Sequence, residues 1–151
     1  MARSRYLSGP RLITLPLSAL ALTLACAHAQ QNVDFAAGAG GQITFVMPSH
    51  NVECVCAPQG GTATYKPFDG GPGLSCDRRD PKYVRVVLTP KSVKRFDDVG
   101  DQGCCGADNP FRYGGRWAKG AFACESAENG LTCKRNDGRG FVISRESVDV
   151  F

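Results

Sequence analysis

The chain has 151 residues, including 18 Gly, 9 Pro and 8 Cys, with 42% hydrophobic residues and a formal net charge of +4. That length carries one domain, and the hydrophobic share is too high for wholesale disorder. Three of the 18 basic residues (Arg3, Arg5 and Arg11) and none of the 14 acidic ones precede residue 30, so the remainder carries only about +1 and gives no footing for a nucleic-acid partner.

Residues 1–29 read as a signal peptide. The three arginines precede an apolar run over 12–27, and Ala27-His28-Ala29 supplies the small-x-small pattern that signal peptidase accepts. The run contains Pro16 and falls short of the roughly 20 residues a spanning helix needs, so no transmembrane span is expected in the mature chain. A competing fate is acylation of Cys26, because Leu24-Ala25-Cys26 resembles a lipobox, with Thr23 where such boxes carry Leu. Cleavage after Ala29 leaves an exported chain, periplasmic or secreted; a lipoprotein is the less favoured alternative.

Residues 30–41 form a small-residue, flexible lead-in. Ile43, Phe45 and Met47 alternate with Thr44 and Val46, which predicts a first strand over 43–47. The turn Pro48-Ser49-His50-Asn51 leads to a second strand over 52–56. A Gly60-Gly61 turn precedes a third at 62–65, and Gly70-Gly71-Pro72-Gly73 makes 68–75 a loop. Alternation is cleanest at 83–89, where Val84, Val86 and Leu88 point one way and Tyr83, Arg85, Val87 and Thr89 the other. One helical turn is expected at 92–96 and a loop at 100–109, followed by strands at 117–124, 131–135 and 141–144. Short strands at this spacing predict one all-β domain over 42–151, a small disulfide-bonded antiparallel β-sandwich or barrel.

Beyond Cys26 seven cysteines remain, an odd number that reads as a disulfide framework in an oxidising compartment. Cys124 and Cys133 flank the turn Ala127-Glu128-Asn129-Gly130, and a four-residue loop there sets 124 opposite 133, near bridging distance. Cys54 with Cys76 is the second expected bond; it closes a Gly- and Pro-rich segment and restricts the unfolded chain by a few kcal/mol. Cys54 and Cys56 share one strand face and are poorly placed to bond each other. Cys104 and Cys105 either form a vicinal disulfide, the one redox candidate, or one of them bonds Cys56 while the other is spare. The second arrangement is preferred. The odd thiol leaves a monomer or a disulfide-linked dimer open.

No cofactor or metal is expected. Cys54-x-Cys56 and Cys104-Cys105 lack the C-x2-C spacing of zinc sites, and Asp97, Asp98 and Asp101 match no EF-hand loop. His50, the one histidine beyond residue 29, neighbours Ser49 in a turn, a poor geometry for proton transfer. Catalytic residues are therefore not assigned, and a non-enzymatic role is favoured. The candidate binding residues are Tyr113, Arg116, Trp117 and Lys119, since aromatic and arginine side chains dominate binding hot spots. The competing assignment places Tyr113 and Trp117 in the core of a hairpin with the charges outward, and it is preferred.

Phe45-Val46-Met47-Pro48-Ser49-His50-Asn51-Val52-Glu53-Cys54 resembles the F-x-x-P-S-x-N-I-x-C opening of a family of small secreted bacterial proteins catalogued as a domain of unknown function (DUF 6636 type). Arg112-Tyr113-Gly114, Gly120-x-Phe122-x-Cys124, Gly130-Leu131-Thr132-Cys133 and Gly138-x-Gly140-Phe141-x-Ile143-Ser144-Arg145 are similar to its C-terminal signature. The resemblance spans roughly 42–151 and implies export, β structure and cysteine bonding. The family commonly carries G-H-G-F where this chain has Gly138-Arg139-Gly140-Phe141, so any role of that histidine does not transfer. The expected function is a non-catalytic binding or envelope-associated domain whose partner is a protein or glycan of the cell envelope. The alternatives are a thiol-redox protein using Cys104-Cys105 and, because the Tyr113, Trp117 and Lys119-Gly120 spacing resembles theirs, a periplasmic enzyme inhibitor of the lysozyme-inhibitor type.

Overall fold

A computed structural model describes residues 30–151. The leader, Cys26 and the cleavage after Ala29 lie outside the described residues. Two consecutive stretches of chain each fold into a meander. β2 (Ile43–Val46), β3 (Val52–Ala57), β4 (Gly73–Arg78), β5 (Val84–Leu88) and β6 (Val93–Phe96) form a five-stranded antiparallel sheet in that order. β7 (Gly115–Lys119), β8 (Phe122–Ala127), β9 (Gly130–Arg135), β10 (Gly140–Ile143) and β11 (Val148–Val150) form the second sheet, and β1 (Gln31–Asn32) adds to its β7 edge in parallel. The two sheets stay separate around one buried cluster, so the architecture is a β-sandwich.

Strand alternation places one side chain in two between the sheets. Cross-strand register then lines the inward residues into rows. In the first sheet Phe45, Cys54, Cys76 and Val86 are successive partners; in the second, Trp117, Cys124, Cys133 and Phe141 are. All eight are buried. The Phe45 and Trp117 rings meet across the interior at 5.2 Å between centroids, so the rows face one another. Each row holds one disulfide, Cys54–Cys76 and Cys124–Cys133, both between directly opposed residues with Cα atoms 4.1 Å apart. That is the closer of the two spacings an antiparallel ladder offers, which brings opposed cysteines within bonding reach.

The lead-in over 30–41 is corrected. Gln31 and Asn32 pair with β7, Val33 N–H donates to the Arg116 carbonyl at 2.8 Å, and Phe35 is buried. Phe35 stacks on Phe45 at 5.2 Å and meets Phe111 edge-on at 5.6 Å, so these residues carry part of the core. Aromatic pairs of this geometry contribute about 0.5–1.5 kcal/mol beyond their buried area.

Four local expectations also change. Residues 62–65 form a turn, because the Thr62 hydroxyl accepts the Tyr65 N–H at 2.9 Å and competes with strand pairing. The loop expected over 68–75 ends early: Gly73–Arg78 is strand, since Leu74, Cys76 and Arg78 alternate inward against β3 and β5. The helical turn at 92–96 is β6, with Val93 opposite Leu88 against the core. The strand at 117–124 is a hairpin that turns at Gly120, whose φ of 57° suits a residue without Cβ.

Trp117 is 1% exposed and joins the two facing rows. Trp117→Ala is therefore expected to destabilise the fold by about 3–5 kcal/mol. Urea unfolding followed by far-ultraviolet circular dichroism measures this; a loss under 1 kcal/mol would contradict the placement.

Candidate functional site

The sequence-predicted binding residues do not share a surface. Trp117 points into the core. Arg116, its neighbour on β7, points outward, with Nε 3.9 Å from a Glu125 carboxylate oxygen. Tyr113 is exposed before the start of β7, whereas Lys119 is exposed at its far end. Five strand residues put roughly 17 Å between those ends. The alternation that buries Trp117 removes it from the binding candidates and bears out its preferred placement in the hairpin core, whereas Tyr113, placed there with it, is corrected to the surface.

The cysteine expectation is corrected too. Cys104 and Cys105 stand with their sulfurs against each other, and Cys56 is a buried free thiol with neither of them near it. Cys56 shares the inward face of β3 with Cys54, and burial pushes its thiol up to about 11, an effect that nearby Lys119 only partly offsets. Cys104 lies on the other side of that sheet. A bond between them would have to pass through β3 and β4, and a link from Cys56 to a second chain would require the sandwich to open.

The outer face of the five-stranded sheet is roofed at its edges and open between. Val55, Ser75 and Val87 form a floor of mixed polarity, and the cavity above it holds about 500 Å3, within the usual range of ligand sites. One wall is the loop over 58–72, carrying Tyr65 and Phe68; the other is Phe96 of β6 with the loop over 97–109. The first wall turns at Gly61, where a Cβ would collide with the Tyr65 carbonyl. Thr62 caps that turn, which fixes the start of the segment bearing Tyr65 and Phe68.

The second wall is held by outward charges of the sheet. Asp77 of β4 and Arg85 of β5 are register partners and pair through two contacts, at 2.6 and 2.7 Å. Arg85 donates onward to the Asp101 carbonyl at 3.0 Å. The Tyr83 hydroxyl donates to Asp77 at 2.7 Å and accepts the Cys104 N–H at 3.2 Å. Farther along the loop, the Ala107 N–H donates to Glu53 at 2.9 Å. Hydrogen bonding to Asp77 raises Arg85 above its ordinary value and keeps the guanidinium charged. No three His, Cys, Asp or Glu side chains converge as a metal site among the described residues.

A second cleft, of about 440 Å3, opens at one end of the sandwich beside Tyr113, Glu128 and Arg145. Asn51 of its lining, and Arg78 beside it, are committed to the fold. The Asn51 side chain donates to the Asp80 carbonyl at 2.9 Å and accepts its N–H at 2.8 Å, while buried Arg78 donates to the carbonyls of Lys82, Ser144 and Arg145. Arg78 thereby ties the five-stranded sheet to the Ser144-Arg145 turn of the other, while Asn51 joins two connections of a single sheet.

No family model, no curated protein and no solved structure matches this chain. The groove rests on geometry alone. Its aromatic residues escaped the sequence reading because they stand in segments read as turn or strand. One usable signal exists: Tyr65 and Phe68 fall between two Gly-Gly pairs, where no strand can carry them inward.

Burial, then the hydrogen bond to Asp77, pushes the Tyr83 phenol up to about 12 from an ordinary 10.0. Folding therefore favours the neutral phenol; its contribution is intact below pH 10 and is lost as pH rises toward 12. Tyr83→Phe is expected to reduce that alkaline loss and to speed hydrogen exchange of the amides at 104–107. Unchanged exchange there would show that Tyr83 does not hold the wall.

Proposed function

We propose that this chain is an exported, non-catalytic ligand-binding domain and that the groove on the outer face of the five-stranded sheet is its binding surface. One observation carries the reading. Of the six large hydrophobic side chains that are exposed among the described residues, three converge on this one cavity: Tyr65 (37%), Phe68 (45%) and Phe96 (37%). Clustered exposed aromatics over a floor of mixed polarity are a mark of recognition surfaces. The floor offers shape and fixed polarity without an activated nucleophile, since Asp77 and Arg85 neutralise each other and Glu53 holds a loop amide.

The disulfides fit an oxidising compartment, and with the leader read at 1–29 they support a periplasmic or secreted location. Among the described residues no helix is long and apolar enough to cross a membrane. The resemblance to the secreted family of unknown function belongs to the same proposal and supplies no activity. With Trp117 buried, the likeness to lysozyme inhibitors loses its central aromatic.

A second reading, thiol–disulfide exchange at Cys104-Cys105, has the pairing of those two cysteines in its favour. It predicts a single stoichiometric exchange, in which a dithiol substrate is oxidised to its disulfide while Cys104-Cys105 is reduced to two thiols, and Cys105→Ser abolishes it.

The groove is tested by nuclear magnetic resonance screening of small neutral and charged fragments. Fragment-induced shifts are expected to cluster at 64–68, 75, 87 and 96–101, and Phe68→Ala is expected to remove them while changing stability by less than about 0.5 kcal/mol. Clustering at the Tyr113 cleft or over Arg116 would overturn the assignment.

A further inference from the structure

We infer that the groove takes an organic cation, a ligand bearing an alkylammonium group of the quaternary or polyamine type; this rests on the groove being the binding surface. Its lining holds four acidic side chains, Glu53, Asp77, Asp98 and Asp101, against two basic ones, Lys66 and Arg85, with Lys94 at the rim as a third, a net of about −1. The chain beyond residue 29 carries about +1, so the groove is a local excess of negative charge on a domain of opposite sign. Pairing within the fold does not remove that excess. Arg85 compensates Asp77, but Asp98 and Asp101 have no ion pair among the described residues, and both are exposed.

These carboxylates share the cavity with Tyr65, Phe68 and Phe96, whose ring faces attract a cation through their quadrupole. The rim already shows this chemistry once. Lys94 Nζ stands 4.2 Å from the centroid of the Phe68 ring, a tethered alkylammonium in the role of a ligand. Aromatic surface and uncompensated carboxylate together select for a group that is both positive and greasy. A neutral sugar would use the rings and leave the charge unanswered, and an anion would be repelled.

The test uses the processed, exported protein and two matched probes, choline and its uncharged carbon isostere 3,3-dimethylbutanol, with spermidine as a second cation. Titrations are followed by amide shifts. Choline and spermidine are expected to perturb 64–68 and 96–101, with choline binding about tenfold or more tighter than the isostere. The preference is expected to weaken as ionic strength rises from about 0.01 to about 0.15 M. Asp98→Asn with Asp101→Asn is expected to erase the preference for charge, and Phe68→Ala to weaken both cations, with thermal unfolding unchanged in each.

Equal binding of the isostere and choline in the groove overturns the cation inference and leaves the groove as the binding surface. Silence of both cations while neutral fragments still fill the groove does the same. Cations and fragments that all map to another face overturn the inference together with the proposed function.

Discussion

Two facing rows of buried side chains, each locked by a disulfide between opposed strands, are the constraint on which the rest of the structure depends. Phe45, Cys54, Cys76 and Val86 cross one sheet; Trp117, Cys124, Cys133 and Phe141 cross the other; Phe45 and Trp117 join them. A strand that slipped by one residue would turn its cysteine outward, since side chains alternate with a period of 2. The bonds therefore fix register as well as restricting the unfolded chain. In a domain of this size, where burial alone leaves a small margin, such links matter more than in a large one.

Register on the inside dictates chemistry on the outside. With Cys54 and Cys76 held inward, their neighbours Glu53, Val55, Ser75 and Asp77 must face out, and the same parity turns Arg85 and Val87 outward on β5. Glu53, Asp77 and Arg85 then anchor the loop over 97–109, whose Cys104 amide and Ala107 amide they reach directly or through Tyr83. The groove is the gap this loop leaves when the segment over 58–72 closes the opposite edge. Its walls are thus consequences of the core, reached through one layer of hydrogen bonds. The walls consist of short turns with few buried apolar contacts, which places them at the low-stability end of the molecule, where adjustable binding surfaces are found.

Much of the framework was legible in the sequence. Alternation at 43–47 and 83–89 marked two strands of one sheet, and the spacing around Glu128-Asn129 placed Cys124 opposite Cys133. What failed has physical causes. The Gly70-Gly71-Pro72-Gly73 run hid the start of β4, because a strand can begin directly after a breaker when its later residues alternate. Phe35 looked like part of a loose terminus because a single aromatic carries no period; only tertiary contact with Phe45 and Phe111 buries it. The Cys56 pairing could not be read from counting, since what forbids it is a sheet standing between Cys56 and Cys104. The site was nearly illegible: Phe96 lies on a different element, well beyond Tyr65 and Phe68 along the chain, and only the fold brings the three to one cavity.

The separation of an inner disulfide layer from an outer loop is tested most directly by mapping the cystine pairs of the purified protein. Proteolysis at acidic pH, which suppresses exchange, followed by mass spectrometry of unreduced peptides assigns each bond. The sandwich requires Cys54–Cys76 and Cys124–Cys133, with Cys56 recovered as a free thiol and never joined to Cys104 or Cys105. A peptide joining Cys56 to Cys104 or Cys105 would contradict it, because no chain with β3 and β4 in this register can bring the core thiol to the groove wall.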